Sequence, residues 1–461
     1  MSNTVMTYPP GAKRILVRGP ALSQSGYGEQ CRFALRSLRK YPDKFDIYLE
    51  NIPWGRTGWI WEENEEREWI DSLLVKTIEW QKMCQQHKET RLYDMSLQVT
   101  IPNEWEKIAD VNIGYTAGIE TDRIAAEWVE KSNMMDRIIV VSNHAKHGFD
   151  NSSYNIVDQN QPDKLLGHLR NSTPVTAVNY PVKKIPTEKL DIDFNTDFNF
   201  LVVAQWGTRK NVESTIRWFV EEFYDMPVGM VLKASMATSC TMDYEACTQN
   251  LKTILSHPSL PQERKCKIYL VHGNMSQSQM ASLYEHPKVK AFMTLTHGEG
   301  FGLPIFEAAY SGLPVIAPGW SGQCDFLYGE ELVKATTSKG TRGSRQRRKT
   351  KTVPLFKEVS FTMGPVQPEA VWNGVINADA MWSFAEQGSA KMAMRDVYKN
   401  YSKYKTLANK LKKHVTKTFT EDKQYKEFAD ATWGGDVSAK DENFDVESWL
   451  DDMDVQIEEH E

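Results

Sequence analysis

Two glutamates lie eight positions apart in a segment that also contains three glycines and a proline. Glu299 lies within the glycine-rich part and Glu307 follows it. Residues 291–295 are apolar and predict a buried strand, and residues 303–310 predict a helix that Pro304 opens. Glycines let backbone N–H groups approach a ligand closely, and a helix N-terminus adds partial positive charge. The segment therefore favours an anionic or hydroxyl-rich ligand, although an ordinary strand, loop and helix with a surface glutamate would share the pattern.

The spacing of Glu299 and Glu307 resembles the Glu-x7-Glu signature of the retaining glycosyltransferase family 4. The resemblance implies an α/β protein with the GT-B fold, in which two Rossmann-like domains face each other across a cleft and a C-terminal helix crosses back to the first domain. It also implies a nucleotide-sugar donor, with a UDP-sugar favoured over a GDP-sugar. By the same resemblance Glu299 lies near the transferred sugar, Glu307 contacts the ribose hydroxyls, and the leaving phosphate accepts the acceptor's proton. The residues between the two glutamates that we expect to contact the donor are Gly300, Phe301, Gly302 and Leu303.

A basic pair, Arg209 and Lys210, follows the predicted strand 200–204 at the carboxyl edge, where ligands bind parallel sheets. Transfer from a nucleoside diphosphate requires a metal or fixed cations to stabilise the leaving group. We expect Arg209 and Lys210 to hold the diphosphate and to act in catalysis, the alternative being a basic pair in water. Lys210 matches a lysine of family 4. Either Gln205 or Arg209 falls near the family's arginine, and charge favours Arg209.

Four further positions are expected to face the ligands. Gly26 and Gly28 follow the first predicted strand and resemble the family's phosphate-contacting glycine loop, although a plain turn would look similar. Glu120 belongs to a segment that resembles the first-domain wall opposite the donor sugar, and we assign it a supporting role in catalysis. His272 ends a predicted strand and, by its position, is expected to line the nucleobase pocket.

The sequence predicts neither a metal ion nor another cofactor beyond the nucleotide-sugar co-substrate. Its two Asp-x-Asp sequences fall at 191–193, in a presumed linker, and at 452–454, in an acidic tail. The six cysteines show no metal-ligand spacing and favour free thiols in a reducing cytosol. No apolar run is long enough to span a bilayer. We therefore expect a cytoplasmic protein, which would act in the host cytoplasm if a phage encodes it.

A length of 461 residues suits two domains. Both halves alternate predicted strands and helices, which indicates two parallel sheets with crossover helices. The predicted parts are an N-terminal Rossmann-like acceptor domain (1–190), a C-terminal Rossmann-like nucleotide-sugar donor domain (191–400), crossover helices (401–433) and an acidic, disordered tail (434–461).

The formal net charge of −6 hides a strongly basic segment at 334–357, which holds nine lysines or arginines and no acid. We interpret residues 338–352 as an exposed flexible insert that could hold a phosphate backbone. The predicted acceptor is therefore a hydroxylated base, hydroxymethylcytosine, in DNA, as for some phage transferases. The expected acceptor-binding residues are Arg342, Arg345, Arg347, Arg348 and Lys349.

Other acceptors and another class of protein stay open. Family 4 enzymes more commonly use glycans, lipids or small molecules, so surface polysaccharide synthesis is an alternative, as is a non-catalytic nucleic-acid-binding protein on a transferase scaffold. The first domain also holds a cluster of tryptophans that would stack on sugars or bases, or equally pack in the core. These are Trp54, Trp59, Trp61, Trp69 and Trp80. The sequence leaves the sugar and the oligomeric state undetermined.

Overall fold

The computed structural model describes residues 11–158, 160–334 and 348–438. The elements of the first half are β1 (Lys13–Gly19), α1 (Gly26–Arg39), β2 (Phe45–Asn51), α2 (Glu65–His87), β3 (Met95–Val99), β4 (Val111–Thr116), α3 (Ala126–Ser132), β5 (Arg137–Val140), α4 (Asn143–Asn151), β6 (Ser153–Asp158), β7 (Gln161–Arg170) and β8 (Val175–Ala177).

The second half begins with β9 (Asn199–Gln205), α5 (Val212–Phe223), β10 (Gly229–Ser235), α6 (Thr241–Leu255), β11 (Lys267–Val271), α7 (Gln277–Tyr284), β12 (Val289–Met293), α8 (Leu303–Ser311) and β13 (Val315–Pro318). It continues with α9 (Cys324–Leu327), β14 (Tyr328–Lys334), β15 (Arg348–Pro354), β16 (Lys357–Val359), β17 (Phe361–Pro365), β18 (Met381–Ala385), α10 (Gln387–Lys399), α11 (Tyr401–Thr418) and α12 (Glu421–Trp433).

Each half forms its own six-stranded parallel sheet. The strand order is β2-β1-β3-β4-β5-β8 in the first sheet and β11-β10-β9-β12-β13-β16 in the second. β1 and β9 have continuous apolar centres, residues 15–17 and 200–204, as expected where helices cover both faces of a parallel sheet. The predicted α/β class with two Rossmann-like domains is confirmed.

Local sequence signals mark where some helices and strands begin or end. A capping box is present at the start of α7, where the Ser276 side chain accepts the Gln279 N–H and the Gln279 side chain accepts the Ser276 N–H. β3 ends at Val99, and a short 3₁₀ segment follows it at Pro102–Glu104.

The C-terminal helix crosses back to the first domain, as predicted. α12 packs on α1 and β5, with the Phe428 ring centroid 5.2 Å from Phe33 and 4.8 Å from Tyr115. α11, which belongs to the predicted crossover segment 401–433, packs instead against α8 and α9 of the second domain. The contact with the first domain is therefore made by α12.

Three antiparallel hairpins interrupt the alternating pattern, formed by β6 with β7, β14 with β15 and β17 with β18. β15 contains the end of the segment interpreted as a flexible insert, since Arg348 to Thr352 pair with β14. Arg342, Arg345 and Arg347 lie outside the described residues. The third hairpin and its connection, residues 361–385, are called the strap below. Within the described ranges, no helix is long and apolar enough to cross a membrane.

Candidate active site

Glu299 lies at the junction between the two domains and is held from its backbone. Its N–H donates to Ser321 Oγ at 2.8 Å and its carbonyl accepts from the Gly322 N–H at 2.9 Å. Ser321 has a φ of +67°, which is uncommon for a residue with a side chain. A second loop, residues 319–322 after β13, therefore fixes the position of the glycine loop, and the sequence patterns did not predict it.

The carboxylate of Glu299 binds both predicted cations. Lys210 Nζ lies 2.5 Å from Glu299 Oε1, and Arg209 Nη1 lies 3.1 Å from Glu299 Oε2. Arg209 also donates to the carbonyl of Gly298 at 2.7 Å. The Glu299 side chain is only 8% exposed, so these charges interact in a partly desolvated site.

The three groups perturb one another's pKa. Burial raises the pKa of Glu299, but Lys210 and then Arg209 outweigh it and lower that pKa below the usual value. Burial lowers the pKa of Lys210, and Glu299 opposes this only in part. We therefore treat Glu299, Lys210 and Arg209 as charged at neutral pH, because two cationic partners strongly favour the ionised carboxylate of Glu299.

Glu120 of the first domain contacts one of the same two cations. Its Oε1 lies 3.3 Å from Arg209 Nη1, so Arg209 contacts carboxylates of both domains. The backbones also approach closely, since a Cβ built on Gly298 would lie 2.7 Å from the Glu120 carbonyl oxygen and one on Gly300 would lie 2.6 Å from that of Ala117. Glycine is required at both positions for this approach. The structure thus brings the four predicted catalytic residues together: Glu120, Arg209, Lys210 and Glu299.

The predicted donor-contacting residues between the two glutamates have different environments. Gly302 has a φ of +93° and caps α8, and Leu303 begins this helix ahead of Pro304, which has no N–H. Phe301 is buried, with its ring packed against Tyr180, Phe306 and Phe326 at 5.0 to 5.1 Å. Phe301 therefore offers a ligand its backbone rather than its side chain.

Glu307 is half-buried in the first half of α8, where Tyr284 donates a hydrogen bond to its Oε2 at 2.9 Å. Burial raises the pKa of Glu307 to about 7, although Tyr284 and Lys183 act in the opposite direction. Lys183 itself is 2.5 Å from Glu29 in α1. Glu307 therefore changes charge near neutral pH.

The first-domain glycine turn begins α1. Gly28 is buried and its N–H donates to Ser25 Oγ, the N-cap of the helix, at 3.0 Å. A phosphate at this position would compete with Ser25 for that N–H. Between the two glycines, Tyr27 is half-buried against β4, where its hydroxyl lies 2.9 Å from Thr116 Oγ1. Gly26 has no atoms near the position of an added Cβ, so it lies at an open surface.

The structure places His144 at the domain junction. It lies in the first turn of α4, with its ring edge-to-face with Trp320 at 5.1 Å. Trp320 Nε1 in turn donates to the Glu120 carbonyl at 3.4 Å. Burial lowers the pKa of His144 to about 4, and its Nε2 is buried without a hydrogen-bond partner among the described residues. A neutral imidazole with an unpaired ring nitrogen therefore lies at the domain junction.

The strap connects the glycine loop to the wall of the first domain. His297 Nδ1 donates to the Ser383 carbonyl at 2.7 Å, which fixes the tautomer, and its ring stacks on Trp382 at 5.0 Å. At the other end, Asp122 forms two hydrogen bonds with Met381, at 2.8 and 2.9 Å. The buried Val375 of the strap joins the apolar cluster of the first domain around Trp128. The strap thus contacts both sides of the junction that holds Glu120 and Glu299.

His272 borders a cavity of about 550 Å³ that is also lined by residues 192–194 of the linker and by Tyr244 and Tyr269. Its Nε2 lies 2.8 Å from Asp243 Oδ1. Whether this cavity receives a nucleobase stays a prediction.

Asp243, Cys247 and His272 form a group whose ligand atoms lie within 4.8 Å of one another, an arrangement that a metal ion could use. The spacing of residues on α6 and after β11 gave no sign of it. The Asp243 oxygens already accept the backbone N–H groups of residues 236–238 at 2.7 to 2.8 Å. Burial raises the pKa of Asp243, but those N–H groups and His272 outweigh it and lower that pKa. A role in holding the loop before α6 therefore explains the group.

Two of the predicted acceptor-binding residues, Arg348 and Lys349, lie in β15, and the other three are outside the described ranges. The structure thus gives no side-chain geometry for these five residues. The six cysteines are free thiols.

No protein-family model and no curated protein sequence matches this chain. Solved structures match it in fold. The sucrose-phosphate synthase from Thermosynechococcus elongatus is 12% identical with a TM-score of 0.54, and the match covers 90% of this chain and 96% of that chain. HepE of Anabaena, solved in complex with UDP and glucose, is 12% identical with a TM-score of 0.52, and the match covers 91% of this chain and 98% of that chain. At these identities the likeness shows the fold, which is the predicted GT-B fold.

Proposed function

We propose that this protein is a retaining glycosyltransferase that moves a sugar from a UDP-sugar to a hydroxyl acceptor. The observation that carries the proposal is the cluster of Arg209 and Lys210 on Glu299, at the junction of two Rossmann-like domains and beside the glycine loop. A diphosphate leaving group needs fixed positive charge, and this cluster supplies two cations in one place. The likeness in fold to HepE, which was solved with UDP and with UDP-glucose, supports the choice of donor.

In this proposal the cations act on the diphosphate. Arg209 and Lys210 neutralise the charge that develops as the bond to the sugar breaks, and Glu299 fixes the two cations in position. Glu307 accepts a hydrogen bond from a ribose hydroxyl. The leaving phosphate takes the proton of the acceptor hydroxyl, so no side chain is assigned as a general base. We assign no metal to the reaction, since the two cations provide the charge that a metal would supply.

Donor turnover in EDTA tests this function. The protein is incubated with UDP- and GDP-sugars, and released nucleotide and transferred sugar are followed by mass spectrometry. We expect turnover of a UDP-sugar that persists in EDTA and falls by about 10²- to 10³-fold in Lys210→Met, the usual cost of removing one group that stabilises transition-state charge. Lys410→Met is the matched control, because Lys410 forms an exposed ion pair with Glu331. Absence of turnover with every donor would refute the proposal, and strict dependence on a divalent metal would refute its cationic mechanism.

A hydroxymethylcytosine base in DNA is the acceptor that the basic segment 334–357 favours. We test it by offering hydroxymethylated duplex DNA and neutral oligosaccharides side by side. Replacing Arg345, Arg347, Arg348 and Lys349 by Ala should weaken binding to duplex DNA and reduce the salt dependence of that binding. If the affinity for duplex DNA and its salt dependence are both unchanged, the prediction of a DNA acceptor is wrong. Sugar added to the oligosaccharides alone would assign the enzyme to glycan synthesis.

The free thiols support a location in the reducing cytoplasm.

A further inference from the structure

Two tryptophans of the first domain expose more than half of their side chains to solvent. Trp59 is 58% exposed and Trp61 is 55% exposed. Ile60, between them, packs against the apolar core. Because side chains alternate along an extended segment, the two indoles lie on the same side of the chain, away from the core. Burying an indole is favourable, so two of them left on one exposed face indicate a binding surface.

The backbone that carries these indoles is fixed. The Ile60 N–H donates to the Leu22 carbonyl at 2.7 Å, and the Gln24 N–H donates to the Gly58 carbonyl at 2.8 Å. Ser23 and Thr57 join their hydroxyls at 2.6 Å. The segment is thereby attached to residues 22–24, which directly precede the glycine turn of α1. A platform that is already ordered loses little entropy when it binds a ligand.

The same segment is connected to the candidate transfer site. Trp54 stacks on Tyr27 with ring centroids 4.0 Å apart. The Tyr27 hydroxyl accepts the Ala117 N–H at 3.3 Å, and the Ala117 carbonyl faces Gly300 of the donor loop. Trp54, at the start of the segment, is thus connected to the glycine loop through Tyr27 and Ala117.

The charge around the platform selects the class of ligand. Residues 54–68 contain five glutamates and two arginines. One of those arginines, Arg67, is paired with Asp71 within α2. Glu63 and Glu65, two and four residues after Trp61, are exposed. Carboxylates accept hydrogen bonds from hydroxyl groups and repel phosphates, so this surface suits a neutral sugar and disfavours a nucleic acid.

We propose that Trp59 and Trp61 form an acceptor subsite for a neutral pyranose oligosaccharide, whose apolar ring faces stack on the two indoles while nearby glutamates accept its hydroxyl hydrogen bonds. This inference rests on the proposed glycosyltransferase function and selects a neutral oligosaccharide as its acceptor, in place of the DNA base that the basic segment favours. It places the sugar acceptor on the first domain, beside Tyr27 and opposite the donor loop.

The test uses the full chain and two probes, an array of neutral pyranose oligosaccharides and single-stranded oligothymidylate. We expect binding to a subset of the oligosaccharides that weakens about tenfold or more in Trp59→Ala and in Trp61→Ala. Trp59→Phe and Trp61→Phe should restore part of it, because a phenyl ring still stacks. Trp372→Ala is the matched control, since Trp372 is 57% exposed on the strap. Circular dichroism checks that each variant is folded.

Three results would overturn the subsite: no oligosaccharide binding, binding that the variants at 59 and 61 leave unchanged, or tighter binding of oligothymidylate that these variants abolish. The last result would assign the indoles to nucleobases. Release of UDP from the donor by the unmodified protein is measured separately. If it occurs while the subsite fails, only the acceptor inference is lost, and if it is absent the proposed function itself fails.

Discussion

The ion pair between Lys210 and Glu299 should be strongly coupled in the folded protein, and a double-mutant cycle measures this coupling. Breaking a buried pair by removing one partner costs about 3–5 kcal/mol when the remaining charge is left alone. Arg209 still lies 3.1 Å from Glu299. We therefore expect the lower value of about 2–3 kcal/mol for Lys210→Met. Glu299→Gln should cost about the same, since it leaves two cations without their shared carboxylate.

The double variant removes both charges and should lose less than the sum of the two single variants. We expect a coupling energy of about 2 kcal/mol, within the range found for contacting charged residues. Urea unfolding at pH 7, followed by tryptophan fluorescence and circular dichroism together, gives the four free energies of unfolding. Coincident curves from the two probes are needed, because a two-domain chain can unfold in steps.

The matched control is the exposed pair of Lys410 and Glu331, whose charged atoms are 2.8 Å apart. Its coupling should be much smaller, because solvent screens exposed pairs. Equal coupling at the two pairs would refute the reasoning that burial strengthens the first. Acid offers a second check. The pKa of Glu299 is lowered in the folded state, so its stabilisation is present above the usual value of 4.5 and is lost as the pH falls through the folded pKa.

Three more predictions concern other parts of the junction. The pKa of Glu307 is raised from 4.5 to about 7 in the folded protein, so the stabilisation from its protonated form should be lost as the pH rises between those values. Glu307→Gln should remove this pH dependence from the free energy of unfolding, measured by urea unfolding at a series of pH values. Gly322→Ala should cost more than about 2 kcal/mol, since its Cβ would lie 1.9 Å from a backbone oxygen, whereas Gly207→Ala, with open space around it, should change the melting temperature little. Asp122→Ala removes the acceptor of the Met381 N–H and should cost about 1 kcal/mol and speed hydrogen exchange in the strap, which unchanged exchange would contradict.

Many of the strands and helices and their division into two parallel sheets were predictable, because the signals for them are local. Apolar runs of four to seven residues, each bounded by turn residues and followed by a helical pattern, indicate a buried parallel strand wherever they occur. The same locality explains the glycine loop, since Glu299 and Glu307 belong to one strand, loop and helix unit. Sequence also placed Arg209 and Lys210 at the carboxyl edge of the second sheet, where the structure has them.

The strap and the tryptophans show where such local signals stop. β17 and β18 pair with each other, and the strap that they form contacts the first domain at Asp122 and through its own Val375. No periodicity within residues 361–385 predicts that distant contact. Composition also could not show which tryptophans of the first-domain cluster are exposed for stacking on a ligand and which are buried in the core. Trp80 is 7% exposed, whereas Trp59 and Trp61 lie mostly in solvent. Burial depends on which surface packs over a residue, and that surface comes from elsewhere in the chain.

The sequence by itself determined the class of fold and the residue types of the candidate site. Only the tertiary structure decided that Arg209 contacts Glu120 as well as Glu299, that His144 faces Trp320, and that Ser321 and Gly322 hold the donor loop. Hydrophobic periodicity and turn chemistry are properties of neighbouring residues, so a sequence expresses them directly. The contacts of Glu120 with Arg209 and of His144 with Trp320 depend on how two complete domains pack, and that packing follows from the shapes of both folded surfaces.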